Sequence, residues 1–244
     1  RASGPPSRLG LVPGGGEVII DVFTLFPEWF DWMRRPRHLA NAALSAGLEL
    51  RAFSYRDYTP LSHGQVDDSP YGGGPGMVLR VDVVAAALRA VYGDEAPPAH
   101  GPGARRVVVL TPRGRPFTDR VARELAALPA LTLLCGRYEG FDERVHRHLA
   151  TDEISLGPFV LAGGEVAAMA VIDALARRLP GALGNEASLD RESFSEALGG
   201  GTEHPHYTRP AEFRGWRVPD VLLSGVHGAI ERWREAHTGP PPAA

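Results

Sequence analysis

Short runs of β-branched and apolar residues alternate along this chain with segments whose apolar positions recur at helical spacing. "EVIIDVFTL" (17–25) reads as a first buried strand and "LELRAF" (48–53) as a second, with a helix predicted over 37–46 and stopped by Gly47. "VDVVAAALRAVYG" (81–93) has helical spacing. Further on come the strand "RRVVVLTPRGR", a helix near 118–128, "ALTLLCGRYEG", a helix over 141–149, and "DEISLGPFVLAGGE". "EVAAMAVIDALARRLPG" predicts an amphipathic helix ended by Pro180 and Gly181. Strands alternating with helices in this way indicate an α/β domain with a parallel sheet.

Other stretches break the pattern. Residues 55–76 are polar and turn-rich, and loops of that length are functional or disordered. "DEAPPAHGPGA" reads as a mobile connection, 184–204 as a flexible linker ending in "GGG", and 220–237 as a small helical unit. The opening "RASGPPSRLGLVPGGGE" lacks an apolar signal core and does not begin with Met, so 1–16 is expected to be a disordered leader or an appended remnant. The expected organisation is an α/β domain over 17–182, a linker over 183–204 and a helical domain over 205–244. There is no internal repeat or coiled-coil heptad.

Composition narrows the classes. With 244 residues and 43% hydrophobic content the chain can bury a full core. No apolar run approaches the roughly 20 residues that cross a bilayer. One cysteine, Cys135, excludes a disulfide framework and a Cys-rich zinc site and fits a reducing cytosol, so a cytoplasmic location is expected. A net charge of -3 gives no global nucleic-acid signal, so any RNA contact must come from a local patch. The 26 basic residues are all arginine, which removes the lysine a P-loop needs, and "SPYGGGPGM" (69–77) also fails the dinucleotide fingerprint because Met77 stands where a third glycine belongs.

Three strands end in glycine-bearing loops, "LTPRGR", "CGRYEG" and "SLGPFVLAGGE". Singly each is an ordinary tight turn. In an open parallel sheet, however, such loops share one edge, where ligands bind, and glycines let backbone amides and carbonyls approach the ligand. A backbone-lined site suits an adenine ring and an amino-acid tail better than a triphosphate. Cys135 reads as a buried inert thiol, and His146 and His148 point to different faces of their helix. His204 and His206 lack nearby cysteine ligands for zinc. "HPHYTRPAEFRGWR" (204–217) interleaves Arg209, Arg214 and Arg217 with Tyr207, Phe213 and Trp216. That is the chemistry of single-stranded RNA recognition, or else a helix-docking segment with a solvated arginine face.

Taken in order, "SPYGGGPGM", "CGRYEGFDERV", "LAGGE", "RRLPGALGNEAS", "ESFSEAL", "PHYTRP" and "VPDVLLSGVHGAIERWR" resemble the bacterial tRNA (guanine-N1)-methyltransferases, the TrmD family, over 17–234. The resemblance implies an α/β SPOUT fold with a C-terminal deep trefoil knot, plus a small all-helical C-terminal domain; the family usually continues with further helical residues, so either a truncated sequence or a shortened domain is expected here. It implies S-adenosylmethionine bound in the knot, tRNA methylated at N1 of guanosine 37, activity dependent on Mg2+, and a homodimer with composite sites. By the same resemblance the cofactor is lined by Leu110, Thr111, Pro112 and Gly114 from the first loop. Gly136, Tyr138, Glu139 and Gly140 would follow from the second, and Ser155, Leu156, Gly157, Leu161, Gly163 and Gly164 from the third. Glu139 would sit near the methionine end and could meet the metal, or else be a loop acid paired with Arg137.

Catalysis by this resemblance falls to Glu203, as general base for the N1 proton, and to Arg177, which would stabilise the negative ring. Glu203 stands where the family has aspartate, one methylene shorter. Tyr71, Gly72, Gly73, Gly74, Pro75 and Gly76 would lie beside the pocket for the extracted guanine, with His206, Tyr207 and Arg209 also on the RNA. Departures occur at Pro158 and Phe159, where the family more often has Asp-Tyr, and at Ala162, where it has Ser. The competing expectations are a related enzyme acting on another RNA site, and an RNA-binding protein whose Glu203 the preceding glycines have displaced.

Overall fold

Five strands form one parallel sheet in a computed structural model that describes residues 18–94, 105–185 and 191–241. The expected leader, the connection after Asp94 and part of the linker fall outside those residues. In sheet order the strands are β2 (Leu48–Ser54), β1 (Val18–Thr24), β6 (Ala130–Cys135), β5 (Arg106–Pro116) and β7 (Asp152–Ser155). The two central partners β1 and β6 run nearly continuously apolar because both of their faces are covered.

Alternation along each strand divides the core in two. Ile20, Val22, Leu133 and Val108 face a cluster closed by α1 (Arg37–Ser45), α3 (Asp119–Ala126) and α4 (Glu165–Ala176). Phe23, Leu134, Val107 and Val109 face the other, closed by α2 (Val81–Tyr92), Tyr55 and Phe141. Each fully buried aliphatic of this kind contributes roughly 1.5–3 kcal/mol over its exposed state. α3 starts where Thr118 accepts a hydrogen bond from the Val121 amide at 3.3 Å.

Four elements differ from the sequence pattern. A 3-10 turn over Pro27–Arg34, unmarked by periodicity, tucks Phe30 and Met33 into the core. The 55–76 segment holds two short 3-10 turns, and its strand β3 (Asp67–Asp68) pairs with β4 (Val78–Leu79). The expected helix over 141–149 contains a π-helix, Val145–Leu149, closed by a 2.9 Å bond from the Ala150 amide to the Val145 carbonyl. α4 buries one stripe as expected, but its outward positions include Val166, 52% exposed, and Ala170, so it is not amphipathic in chemistry.

On the α2 side of β1, buried Asp21 accepts from Arg51 Nε at 2.6 Å, Arg105 Nη1 at 2.8 Å and the Tyr92 hydroxyl at 2.7 Å. A fully buried carboxylate persists only with such a set of donors.

The chain divides between Gly184 and Asn185. The second unit carries α5 (Asp220–Leu223) and α6 (His227–Ala236), and also a hairpin of β8 (Glu212–Phe213) and β9 (Trp216–Arg217). It is therefore not all-helical, because Gly215 turns the aromatic-arginine segment back on itself at φ +82°. No helix among the described residues is long and apolar enough to cross a membrane.

Candidate active site

The second and third glycine-bearing loops leave the carboxyl ends of β6 and β7, and the first is an excursion within β5, which lies between those two strands in the sheet. Together they surround a cavity of about 470 Å³, within the range of roughly 300–1,000 Å³ typical of small-molecule sites. The first loop contributes Leu110, Thr111 and Pro112, the second Gly136, Tyr138, Glu139 and Gly140. The third contributes Ser155, Leu156, Gly157, Leu161, Gly163 and Gly164.

Gly114 is placed elsewhere. β5 pairs with β7 on both sides of an excursion, so that Ile154 partners both Leu110 and Arg115. Gly114 closes that excursion, and a Cβ there would lie 2.6 Å from the Glu153 carbonyl carbon. Its glycine serves close backbone approach rather than the cavity wall.

The two later loops are joined directly. The Gly164 amide donates to the Gly136 carbonyl at 2.9 Å, and a Cβ on Gly164 would stand 2.8 Å from the Cys135 Cα. Arg137 does not pair with Glu139; its Nε lies 3.0 Å from Glu165 Oε2, and its guanidinium covers the rings of Phe26 and Trp29. Glu139 instead faces the glycine stretch. The Glu139 amide donates to the Met77 carbonyl at 3.0 Å, the Leu79 amide to the Gly140 carbonyl at 2.9 Å, and Gly76 packs on the Glu139 side chain.

Before that contact, Gly72, Gly73 and Gly74 all adopt positive φ, and nothing lies within 4 Å of where their side chains would be. Pro75 continues this loop and Tyr71 is 99% exposed. The stretch is thus an open rim anchored at Gly76 and Met77 to the cavity's second loop.

Several cavity residues carried no signal in the sequence. Arg113 donates to Glu143 at 2.9 Å, and Arg113 and Arg147 hold the Glu143 carboxyl below its usual range. His146 also lines the cavity, against the Phe141 ring edge, with Nδ1 3.2 Å from Glu153 Oε2. His148 is exposed, so the two histidines do face different ways, on a π-turn rather than a regular α-helix. Burial pushes the Cys135 thiol well above its ordinary value, which leaves it neutral and unreactive.

Arg177 lies outside the lining. It caps the carboxyl end of α4, and from Ala167, the last residue of that helix to line the cavity, about 15 Å of helix separates it from the cavity. Its neighbour Arg178 pairs with Asp119. In the second unit, Glu203 Oε2 lies 2.9 Å from His206 Nε2, and the Glu203 amide donates to the Ser193 hydroxyl at 3.1 Å. His204 stands 4.7 Å from the His206 ring; burial first, then the charges of His206 and Arg234, lower its pKa. Tyr207 meets Trp233 at 6.2 Å, and Arg209 is exposed. No group of three or more His, Cys, Asp or Glu suited to a metal occurs among the described residues, so Glu139 is a single carboxylate there.

Comparison with known proteins matches residues 18–239 to the family described as tRNA (guanine-1)-methyltransferase TrmD. A tRNA (guanine-N(1)-)-methyltransferase of Sorangium cellulosum is 52% identical over 231 residues, spanning 89% of this chain and 87% of that protein. One from Brevibacillus brevis is 49% identical over 215 residues, with 88% and 84% covered, and one from Bacillus cereus is 48% identical over 216. With residues 18–239 matched by the family and relatives about half identical over most of both chains, the chain belongs to the tRNA (guanine-1)-methyltransferase TrmD family.

Proposed function

We propose that this protein methylates N1 of guanine in tRNA, at guanosine 37, using S-adenosylmethionine held by the three loops. The observation that carries the reading is the single cavity those loops build, with the open glycine rim tied to its wall through Gly76 and Glu139. The residues fit the group: the glycine-bearing loops bring backbone from Leu110, Gly136 and Ser155 onward to the cavity wall, and Val109, Ile154 and Ala167 supply an apolar floor. When bound, S-adenosylmethionine supplies an electrophilic methyl on a sulfonium. We place these loops in a trefoil knot, which the parallel sheet and the family support.

The residues of the chain do the rest. N1 of guanine carries a proton that must leave before its electron pair can attack a methyl. Glu203 accepts that proton as general base, and His206 beside it fixes the carboxylate's direction. Arg177 offsets the negative charge spread over the ring. An extracted base needs an unobstructed wall, and Gly72–Gly74 present one free of side chains. Tyr71, Pro75, Tyr207 and Arg209 complete the RNA contacts. Glu139 is the carboxylate available to magnesium, which commonly binds through one or two acids plus water.

Arg177 supports a homodimer with shared sites. At the far end of α4 it cannot reach its own cavity, whereas a second copy packed on that helix could receive it. Exposed Phe159, Val160 and Val166 give the apolar surface such a partner would cover.

The test is transfer of labelled methyl from S-adenosylmethionine to two tRNA transcripts, one with guanosine at position 37 after a guanosine and one with adenosine there. Label in the first alone is expected. Label in both, or in the second only, would assign the enzyme to another site; label in neither, with cofactor bound, would favour an RNA-binding protein.

A further inference from the structure

Glu165 is a fully buried carboxylate that the proposed chemistry does not use, and it does not line the cavity. It opens α4 directly after Gly164, where a negative charge also meets the helix's positive end. Its two oxygens are engaged by different parts of the fold. Oε1 accepts from the Thr24 hydroxyl at 2.7 Å, and that hydroxyl accepts in turn from the Phe26 amide at 3.0 Å. Oε2 faces Arg137 Nε at 3.0 Å.

Arg137 carries the connection to the cavity, which it lines. Its Nη1 donates to the Ala162 carbonyl at 3.4 Å, its backbone bridges Gly163, and Phe26 and Trp29 hold its guanidinium at 4.6 and 5.0 Å. Gly163 has no room for a side chain because Arg137 and Glu165 fill the space. One buried ion pair therefore fixes the end of β1, the loop after β6 and the loop before α4 against each other.

We propose that Thr24 and Glu165 are positioning residues for the cofactor: acting through Arg137, they set the spacing of the 136–140 and 157–164 loops and so the affinity of the cavity. This rests on the reading of that cavity as the S-adenosylmethionine site. Removing the charge at Glu165 leaves the Arg137 guanidinium without its counter-ion, so the two loops keep only their backbone links, Gly164 to Gly136 and Arg137 to Gly163. The step is one of binding, so its effect falls on cofactor affinity and not on the chemical step.

The experiment is calorimetric titration of the purified full chain with S-adenosylhomocysteine, alongside steady-state kinetics and thermal melting. Glu165→Gln keeps the volume and a hydrogen-bond acceptor for Thr24; its Kd and its KM for cofactor are expected to rise on the order of tenfold or more, with kcat and the KM for tRNA within about threefold of the parent. Thr24→Val should weaken binding in the same direction, and Thr24→Ser should restore it. Should Glu165→Gln not fold, the Thr24 pair decides the question. A lower melting temperature with unchanged Kd in the folded variants would make the cluster merely structural and overturn the proposal. Failure of the parent protein to bind S-adenosylhomocysteine would instead remove the cofactor reading, and the inference with it.

Discussion

Gly76 and Glu139 occupy space that admits one side chain and not two: a Cβ on Gly76 would stand 2.5 Å from the Glu139 Cγ, and Gly76 holds φ at +88°. Gly76→Ala must therefore displace Glu139 and strain the backbone together. Cofactor binding and turnover should both fall, by tenfold or more as an order of magnitude. Gly73→Ala meets no neighbouring atom but is strained by its φ of +78°, so it should spare S-adenosylhomocysteine binding while lowering transfer to tRNA. Equal losses of cofactor affinity in the two variants would refute the division between rim and cavity.

Glu203 is tested by replacing its carboxylate with an amide of the same shape. Glu203→Gln should lower kcat by about 10² to 10⁴ at neutral pH, with S-adenosylhomocysteine affinity unchanged. Glu203→Asp should retain most of the rate. Unchanged single-turnover transfer in Glu203→Gln would dismiss the residue as base.

The loop bearing Glu203 is pinned within the second unit by Thr202 and Gly239, whose amides and carbonyls pair both ways at 3.1 and 3.0 Å. A side chain at Gly239 would strike the Thr202 hydroxyl. Gly239→Val should then break the pair, at roughly 0.5–1.5 kcal/mol per bond, and reduce kcat several-fold without touching cofactor binding. Trp233, which packs between His204, Tyr207 and His237, should behave likewise when cut to alanine. Wild-type kcat in both variants would show that the loop needs no such support.

Alkaline stability follows from the tyrosines. Burial raises the Tyr55 pKa well above its ordinary value, and burial followed by the Asp21 charge raises that of Tyr92. A raised folded value favours the protonated phenol, so this contribution to stability is complete below the ordinary tyrosine pKa of about 10 and is lost as pH climbs through the folded values. Tyrosinate absorbance from these two rings should appear together with loss of the circular-dichroism signal. Ionisation of all six tyrosines before any unfolding would contradict their burial.

Much of the α/β core was legible because period-2 and period-3.6 patterns report burial directly, as at β1, α2 and β6. Glycine-bearing strand ends also announced the cavity, since loops on one sheet edge must converge. Other parts had no local signal. The π-turn that aims His146 depends on a register no periodicity encodes, and the clamp of Thr24, Arg137 and Glu165 joins residues far apart in the chain. Arg177's remoteness is likewise a matter of helix length, visible only once the start of α4 is placed beside the cavity. At Gly114 the pattern is ambiguous, because a glycine demanded by close strand contact looks the same in sequence as one demanded by a ligand.

The Asp21 corner has a consequence for how this lineage can change. Arg51, Arg105 and Tyr92 all direct donors at one enclosed carboxylate, so losing any one leaves a buried lone pair unfilled, and losing the acid strands the two arginines. Neutral drift through single steps is closed there. Relatives should carry the set entire or replace it entire, and a pairwise exchange of Asp21 with its partners, rather than a gradual erosion, is the form that divergence at this corner must take.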